Sequence, residues 1–478
     1  MSRYESGSEQ AAMSRQLEGA LPPVQPRVSW LTAHGSRLTS HLRSPLYRNG
    51  YALIISALST SGLGIVYWAV AARFYDARDV GLNSAAISGM LLFSGIAQLN
   101  LSGTLIRFLP TAGGAMARVV RRAYLASLAA GLILGLGLLL LRDFWSPIPE
   151  LFNGNTAFLL WFIVAVLAWS VFALQDFVLT GLRQAKWVPI ENIVFAVIKI
   201  GLLLAFASRL QQFGVFLSWT IPTLGAILAV NALIFARLIP RRVMETRDHV
   251  ESILPRQLVN FVAANYLGFL FFLISGTLLP IMVKIEIGPQ AAAYFFLAWI
   301  IAYAFQLISL NMTASLTVEG AIDQARLREY SYRVLMNIAR LVVPLVLVCV
   351  VAAPYILDIF GPGYASNGAN ALRLLAVAAI PNIVVVVFVT IARVQRRNVA
   401  IALVQGVLCI LSLALSAVFL HVYGIAGVGL AWVISQSAIA VALLVYRRSW
   451  FVARDATPTG RPGSQSTADV TNPNLEDT

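Results

Sequence analysis

Apolar residues in this chain run in long unbroken blocks. They do not alternate as in a half-buried strand, nor stripe one face as in a soluble helix. Stretches without Asp, Glu, Lys or Arg cover 49–72, 80–106, 123–141, 151–175, 210–236, 257–283, 287–318, 374–392 and 398–446. An uncharged apolar run of about 18 residues is long enough to cross a bilayer as a helix. The segment Leu341–Leu357 falls just short and is counted with them. The run 398–446 is too long for one span, and His421-Val422-Tyr423-Gly424 divides it. The pattern predicts twelve helices, at 50–73, 82–106, 120–141, 156–180, 187–208, 213–236, 258–283, 291–316, 337–360, 369–392, 399–420 and 425–446.

Charge sets the orientation of these helices. With both termini in the cytoplasm, the inner segments hold 28 of the 35 lysines and arginines, as the positive-inside rule requires. The surplus of +14 therefore reports topology and attraction to anionic headgroups rather than a nucleic-acid partner. Only 12% of the 478 residues are charged and 59% are hydrophobic, against about 25% charged in a soluble domain. That balance excludes a soluble globule, a disordered chain and a collagen. Cys349 and Cys409 both lie in apolar segments, so neither a disulfide framework nor a metal site is expected.

The organisation that follows is an all-α polytopic membrane protein. A cytoplasmic segment, 1–48, precedes a first six-helix bundle at 49–238. A cytoplasmic linker at 239–256 leads to a second bundle at 257–447, and a tail occupies 448–478. The initial segment interleaves Trp30, Leu31, Leu38 and Leu42 with Arg27, Arg37 and Arg43. It reads equally as a short interfacial helix or as a tether, and not as a cleavable signal. The composition of Arg454–Thr478 predicts disorder.

The two bundles repeat one another. Leu99-Asn100-Leu101-Ser102-Gly103-Thr104-Leu105 matches Leu310-Asn311-Met312-Thr313-Ala314-Ser315-Leu316 at an offset of 211. The same offset places Arg122 on Arg333, Gln184 on Gln395 and Lys186 on Arg397. A repeat of six helices preserves orientation, so the halves are related by an axis along the membrane normal. Two such bundles can rock around a central cavity, which is the geometry of alternating access.

Ionisable residues at membrane depth are costly, which makes them candidates for function. The first half holds Asp176 in its fourth helix and Glu191 and Lys199 in its fifth. Lys199 lies about 12 Å beyond Glu191 at the rise of a helix. These three are expected to line an aqueous cavity in the first half, with Lys199 attracting an anionic substrate. Internal pairing is the alternative. The second half offers no midplane charge, so its side of the cavity is expected to be apolar. Arg48, Arg73, Arg78 and Arg107 flank the first two helices, either as interfacial anchors or as phosphate contacts. Asn100 and Asn311 hold equivalent places, where interhelical hydrogen bonding is the plain reading. Pro280 and Pro381 interrupt spans and mark places of bending.

Several chemistries find no support. There is no G-x-x-x-x-G-K-[ST], no G-x-S-x-G and no H-E-x-x-H, and the four histidines lack ligand spacing. The chain is expected to be neither an enzyme nor a metal or cofactor protein. Energy for transport would come from a proton or sodium gradient, or from consumption of the substrate on the far side.

Four segments carry a resemblance. Arg48-Asn49-Gly50 enters the first helix and Ala71-Ala72-Arg73-Phe74-Tyr75 leaves it. Asp79-Val80-Gly81 opens the second, and Leu105-Ile106-Arg107-Phe108-Leu109-Pro110 closes it. The opening of the chain so resembles the Wzx-type oligosaccharide flippases of the multidrug/oligosaccharidyl-lipid/polysaccharide exporter superfamily. The resemblance implies a V-shaped pair of bundles in the inner (cytoplasmic) membrane. It implies a substrate made of a sugar chain on a polyprenyl diphosphate, destined for lipopolysaccharide, exopolysaccharide or capsule. Lys199 and Arg107 would meet the diphosphate beside Asn100 and Asn311, and Asp176 or Glu191 would carry a coupling ion. Membrane lipids, a glycan polymerase and glycosyltransferases are the implied partners. A drug/cation antiporter of the same superfamily, a membrane-embedded glycan ligase or acyltransferase, and a scaffold for glycan-assembly enzymes are the other readings.

Overall fold

Each apolar block forms helix because, in hydrocarbon, a backbone must satisfy its hydrogen bonds within its own segment. A computed structural model describes residues 62–141, 155–245, 255–322, 326–447 and 450. The initial segment 1–48 and nearly all of the tail lie outside these described residues. In chain order the helices are α1 (Gly62–Phe74), α2 (Ala77–Ala97), α3 (Leu101–Phe108), α4 (Met116–Leu141), α5 (Thr156–Gly181), α6 (Trp187–Phe206) and α7 (Gly214–Glu245). The second half continues with α8 (Pro255–Glu286), α9 (Pro289–Ile322), α10 (Leu327–Asp358), α11 (Pro362–Val377), α12 (Ala379–Val394), α13 (Asn398–Tyr423) and α14 (Ile425–Val445). Among the described residues, ten helices are long and apolar enough to cross a membrane, and the bent pair α11–α12 makes an eleventh. The protein is an all-α polytopic membrane protein. Large side chains such as Leu140, Leu228, Val351 and Val399 face outward, as a lipid-exposed surface requires.

Packing repeats as the sequence does. In the first half α4 packs on α5, α5 on α7, and α6 on α7. In the second, α10 packs on α11, α11 on α14, and α13 on α14. The turns repeat as well. Arg183 and Arg396 both adopt left-handed conformations, φ 58° and 56°. Each closes a six-to-one bond, Gln184 N to Leu179 O and Arg397 N to Ala392 O, both 2.8 Å. This is the Schellman ending of a helix. It aligns Arg183 with Arg396, so the offset at this turn is two residues larger than the expected 211, and the first-half turn is correspondingly longer.

Two spans expected as single helices are broken. The span at 82–106 divides where Leu99 and Asn100 adopt left-handed conformations, φ 49° and 53°. The span at 369–392 bends by 40° at Ala378, three residues before Pro381. α7 also runs through a π turn at Ile234–Leu238 as far as Glu245, into residues expected to form the linker.

The halves meet through α2, which packs on both α8 and α9. At one end this contact is tight. A Cβ added to Gly81 would overlap the carbonyl of Pro289, so only glycine permits that approach. Nearby, the Arg73 guanidinium Nε donates to the Ile359 carbonyl (3.0 Å), and Trp68 meets Phe296 edge-on at 4.7 Å. Asn83 braces the same end from α2. Its amide donates to the carbonyls of Asp79 and Gln212, and its oxygen accepts from Phe216 N.

Candidate functional site

The opposite end of the bundle carries the basic turns, and there the halves separate around a cavity of about 640 Å³. Each wall is one face of a helix, read at steps of three and four residues. α3 contributes Asn100, Gly103 and Arg107. α12 contributes Asn382, Val385, Val386, Val389 and Arg393, and α13 contributes Asn398, Ile401, Gln405 and Leu408. Arg396 stands at the turn between those two, and Gln306, Trp432 and Gln436 come from α9 and α14. Among the described residues, no carboxylate lines this cavity.

Both broken spans supply its wall. Irregular backbone at membrane depth is tolerated where it is packed in protein or lines a cavity. At the α2–α3 break the Ile96 carbonyl, which accepts from Leu99 N (3.1 Å), also accepts from the Tyr266 hydroxyl of α8 (3.0 Å), so one half braces the break in the other.

The sequence-predicted residues fall into two groups. Asn100 and Arg107 line the cavity. Lys199, Asp176, Glu191 and Asn311 are not among its lining residues. Lys199 is 5% exposed, with its ammonium against aromatic faces, 3.7 Å from the Trp219 ring centre and 4.4 Å from that of Tyr67. Stacking on rings offsets part of the cost of burying that charge. Asp176 Oδ2 accepts from the Asn192 amide (3.2 Å), while its Oδ1 and both Glu191 oxygens have no protein partner. Asp176 and Glu191 are close enough for their charges to interact, and Tyr124 lies within reach of Glu191. The first half thus holds Asp176, Glu191 and Lys199 inside its own bundle and presents Arg107 to the cavity.

The second half lines the cavity with Phe269, Phe272, Leu310, Val385, Val386, Val389, Ile401 and Leu408, and polar groups lie among them. It supplies Arg393 and Arg396 and the carboxamides of Gln306, Asn382, Gln405 and Gln436. A search for ionisable residues within spans passes over uncharged amides. Their spacing on otherwise apolar helix faces was the available signal.

A structure of a multidrug resistance MATE family transporter of the MOP superfamily, in an inward-facing conformation, covers 84% of this chain and 98% of its own, with 14% identity and a TM-score of 0.62. The chain has the fold of the MATE transporters. An outward-facing structure of such a transporter gives a TM-score of 0.56 at 13% identity, covering 86% of this chain and 97% of its own. A MOP superfamily transporter from Pyrococcus furiosus, described as having a binding pocket of reverse polarity, gives 0.59 at 13% identity, covering 85% and 95%. No family model matches the sequence, and no curated protein does. At these identities the MATE-type likeness establishes the fold and leaves the substrate to the site.

Proposed function

We propose that this protein is a flippase that carries a polyprenyl-diphosphate-linked oligosaccharide across the cytoplasmic membrane for cell-surface polysaccharide assembly. The observation that supports this reading is the cavity wall, which combines Arg107, Arg393 and Arg396 with amides and, among the described residues, has no carboxylate. Guanidinium groups match diphosphate oxygens in geometry and charge. The positive-inside rule puts this end at the cytoplasm, where a lipid-linked glycan is built.

On this reading the diphosphate enters at the arginines while the polyprenyl tail stays in lipid. The far end is shut by the Gly81–Pro289 approach and the Arg73–Ile359 bond. Rocking of the halves would part those contacts and close the arginine end. Asp176 and Glu191, with three oxygens lacking protein partners, would hold the coupling proton or sodium ion. Glycosyltransferases would supply the substrate and a polymerase would consume it.

The second reading is a drug/cation antiporter with the same fold. The acidic pair in the first half favours it, and a cavity wall without a carboxylate among the described residues disfavours it. Cells lacking the protein should accumulate lipid-linked precursor on the cytoplasmic leaflet. Precursor reaching the outer face normally in such cells would refute the flippase, and accumulation outside would indicate a ligase.

A further inference from the structure

Beyond the arginines the cavity wall changes character. Along α12, Arg393 is followed inward by Val389, Val386 and Val385 and then by Asn382, about 16 Å away at helical rise. Asn382 and Gln436 are almost fully buried, 5% and 1% exposed, and the Asn382 amide donates to Gln436 Oε1 at 3.2 Å. That bond leaves Asn382 Oδ1 buried with no partner. Gln306 and Gln405 line the same cavity as this pair, as does Trp432.

A second chamber of about 20 Å³ opens behind, lined by Asn382, Gln306, Tyr303, Trp299 and Trp432. It has room for one bridging water. A buried amide oxygen without a partner is costly, and a water in this chamber can donate to it and relay to a ligand hydroxyl. Carboxamides both donate and accept, as hydroxyls do, and among the described residues no charged group lies in this part of the wall. An indole face packs well on the C–H face of a pyranose ring. An ammonium or carboxylate would enter this region without a countercharge.

We infer that Gln306, Asn382, Gln405 and Gln436, with Trp432, form a saccharide subsite separate from the arginine rim, reading the uncharged hydroxyls of the sugars that follow the diphosphate. This rests on the flippase reading. The rim holds the part common to every such lipid, and the carboxamides select the glycan.

The test uses the full chain in detergent and two probes, farnesyl diphosphate and farnesyl diphosphate carrying a neutral disaccharide. The wild type should prefer the disaccharide probe by about tenfold, the worth of one or two net hydrogen bonds. Gln436→Leu should erase that preference while leaving farnesyl diphosphate affinity unchanged. Gln405→Leu, at a half-buried position that folding tolerates, should also reduce it. Arg393→Gln should weaken both probes by the same factor. The inference is overturned if both leucine variants keep the preference, or if they weaken both probes equally. If the preference depends on the carboxamides and Arg393→Gln changes nothing, the subsite stands and the diphosphate rim falls. Binding of neither probe by the wild type removes both.

Discussion

Leu99–Gly103 in the first half and Leu310–Ala314 in the second are near copies in sequence, yet their backbones differ. The first breaks a span with two left-handed residues, whereas the second continues through α9 as unbroken helix. The difference recurs in reverse further on, where α5 is a single helix and its counterpart bends between α11 and α12. Among the described residues each half therefore breaks one span, at non-equivalent places, and the segments after the breaks, α3 and α12, both line the cavity. The halves share their packing and differ in where backbone and polar groups are spent on the site. The first keeps Asp176, Glu191 and Lys199 within its bundle, and the second presents arginines and carboxamides to the cavity.

The largest break in this comparison is expected at the closed end. Gly81→Leu puts a side chain where α2 meets the Pro289 carbonyl. Overpacking of about 3 kcal/mol shifts the closed–open equilibrium roughly a hundredfold. Transport should be lost, and a cysteine at position 293, fully buried beside Gly81, should become reactive toward an impermeant maleimide added outside. Unchanged labelling would show that this contact is not the closure.

The next effect separates the halves by charge. Arg393→Gln should weaken binding of farnesyl diphosphate by about 10- to 100-fold, the range for a hydrogen bond to a charged group. Lys199→Gln should leave that binding within about twofold, because the ammonium stacks on Trp219 and Tyr67 away from the cavity wall. The opposite ranking, measured by titration, would return the anion site to the first half.

Two smaller substitutions address the break itself. Asn100→Ala should cost about 1–2 kcal/mol, since alanine tolerates the left-handed conformation less well than asparagine. Asn311→Ala, in regular helix, should stay within about 0.5 kcal/mol. Tyr266→Phe removes the bond to the Ile96 carbonyl and should cost about 1 kcal/mol. Thermal unfolding in detergent ranks all three, and equal costs at 100 and 311 would deny the asymmetry.

Much of this architecture is legible without coordinates, because apolar block length and loop charge are direct physical constraints on a chain in a bilayer. The helices on either side of Arg183 and Arg396 follow from such blocks. The broken spans are not legible in that way. A hydropathy scan sees Leu99 and Asn100 as two residues in an apolar run, and only Gly103, standing where the second half has Ala314, hints at a weaker helix. Ionisable side chains draw attention to Lys199 and Asp176 because burial of charge is expensive. That cost is met inside the bundle by aromatic rings and by Asn192. Arg107 and Asn100 were found for their position. Asn382, Gln405 and Gln436 are uncharged, and their common face emerges only when α12, α13 and α14 are placed around one space.

The most direct test of the account is translocation in proteoliposomes. A polyprenyl diphosphate carrying a short oligosaccharide is placed in both leaflets, and the fraction open to an added glycosidase is followed over time. The account predicts that wild-type protein makes nearly all of the glycan cleavable, while Arg393→Gln and Gly81→Leu leave the inner half protected. Protection of the inner half in wild-type vesicles, with an applied proton or sodium gradient of either sign, would contradict it.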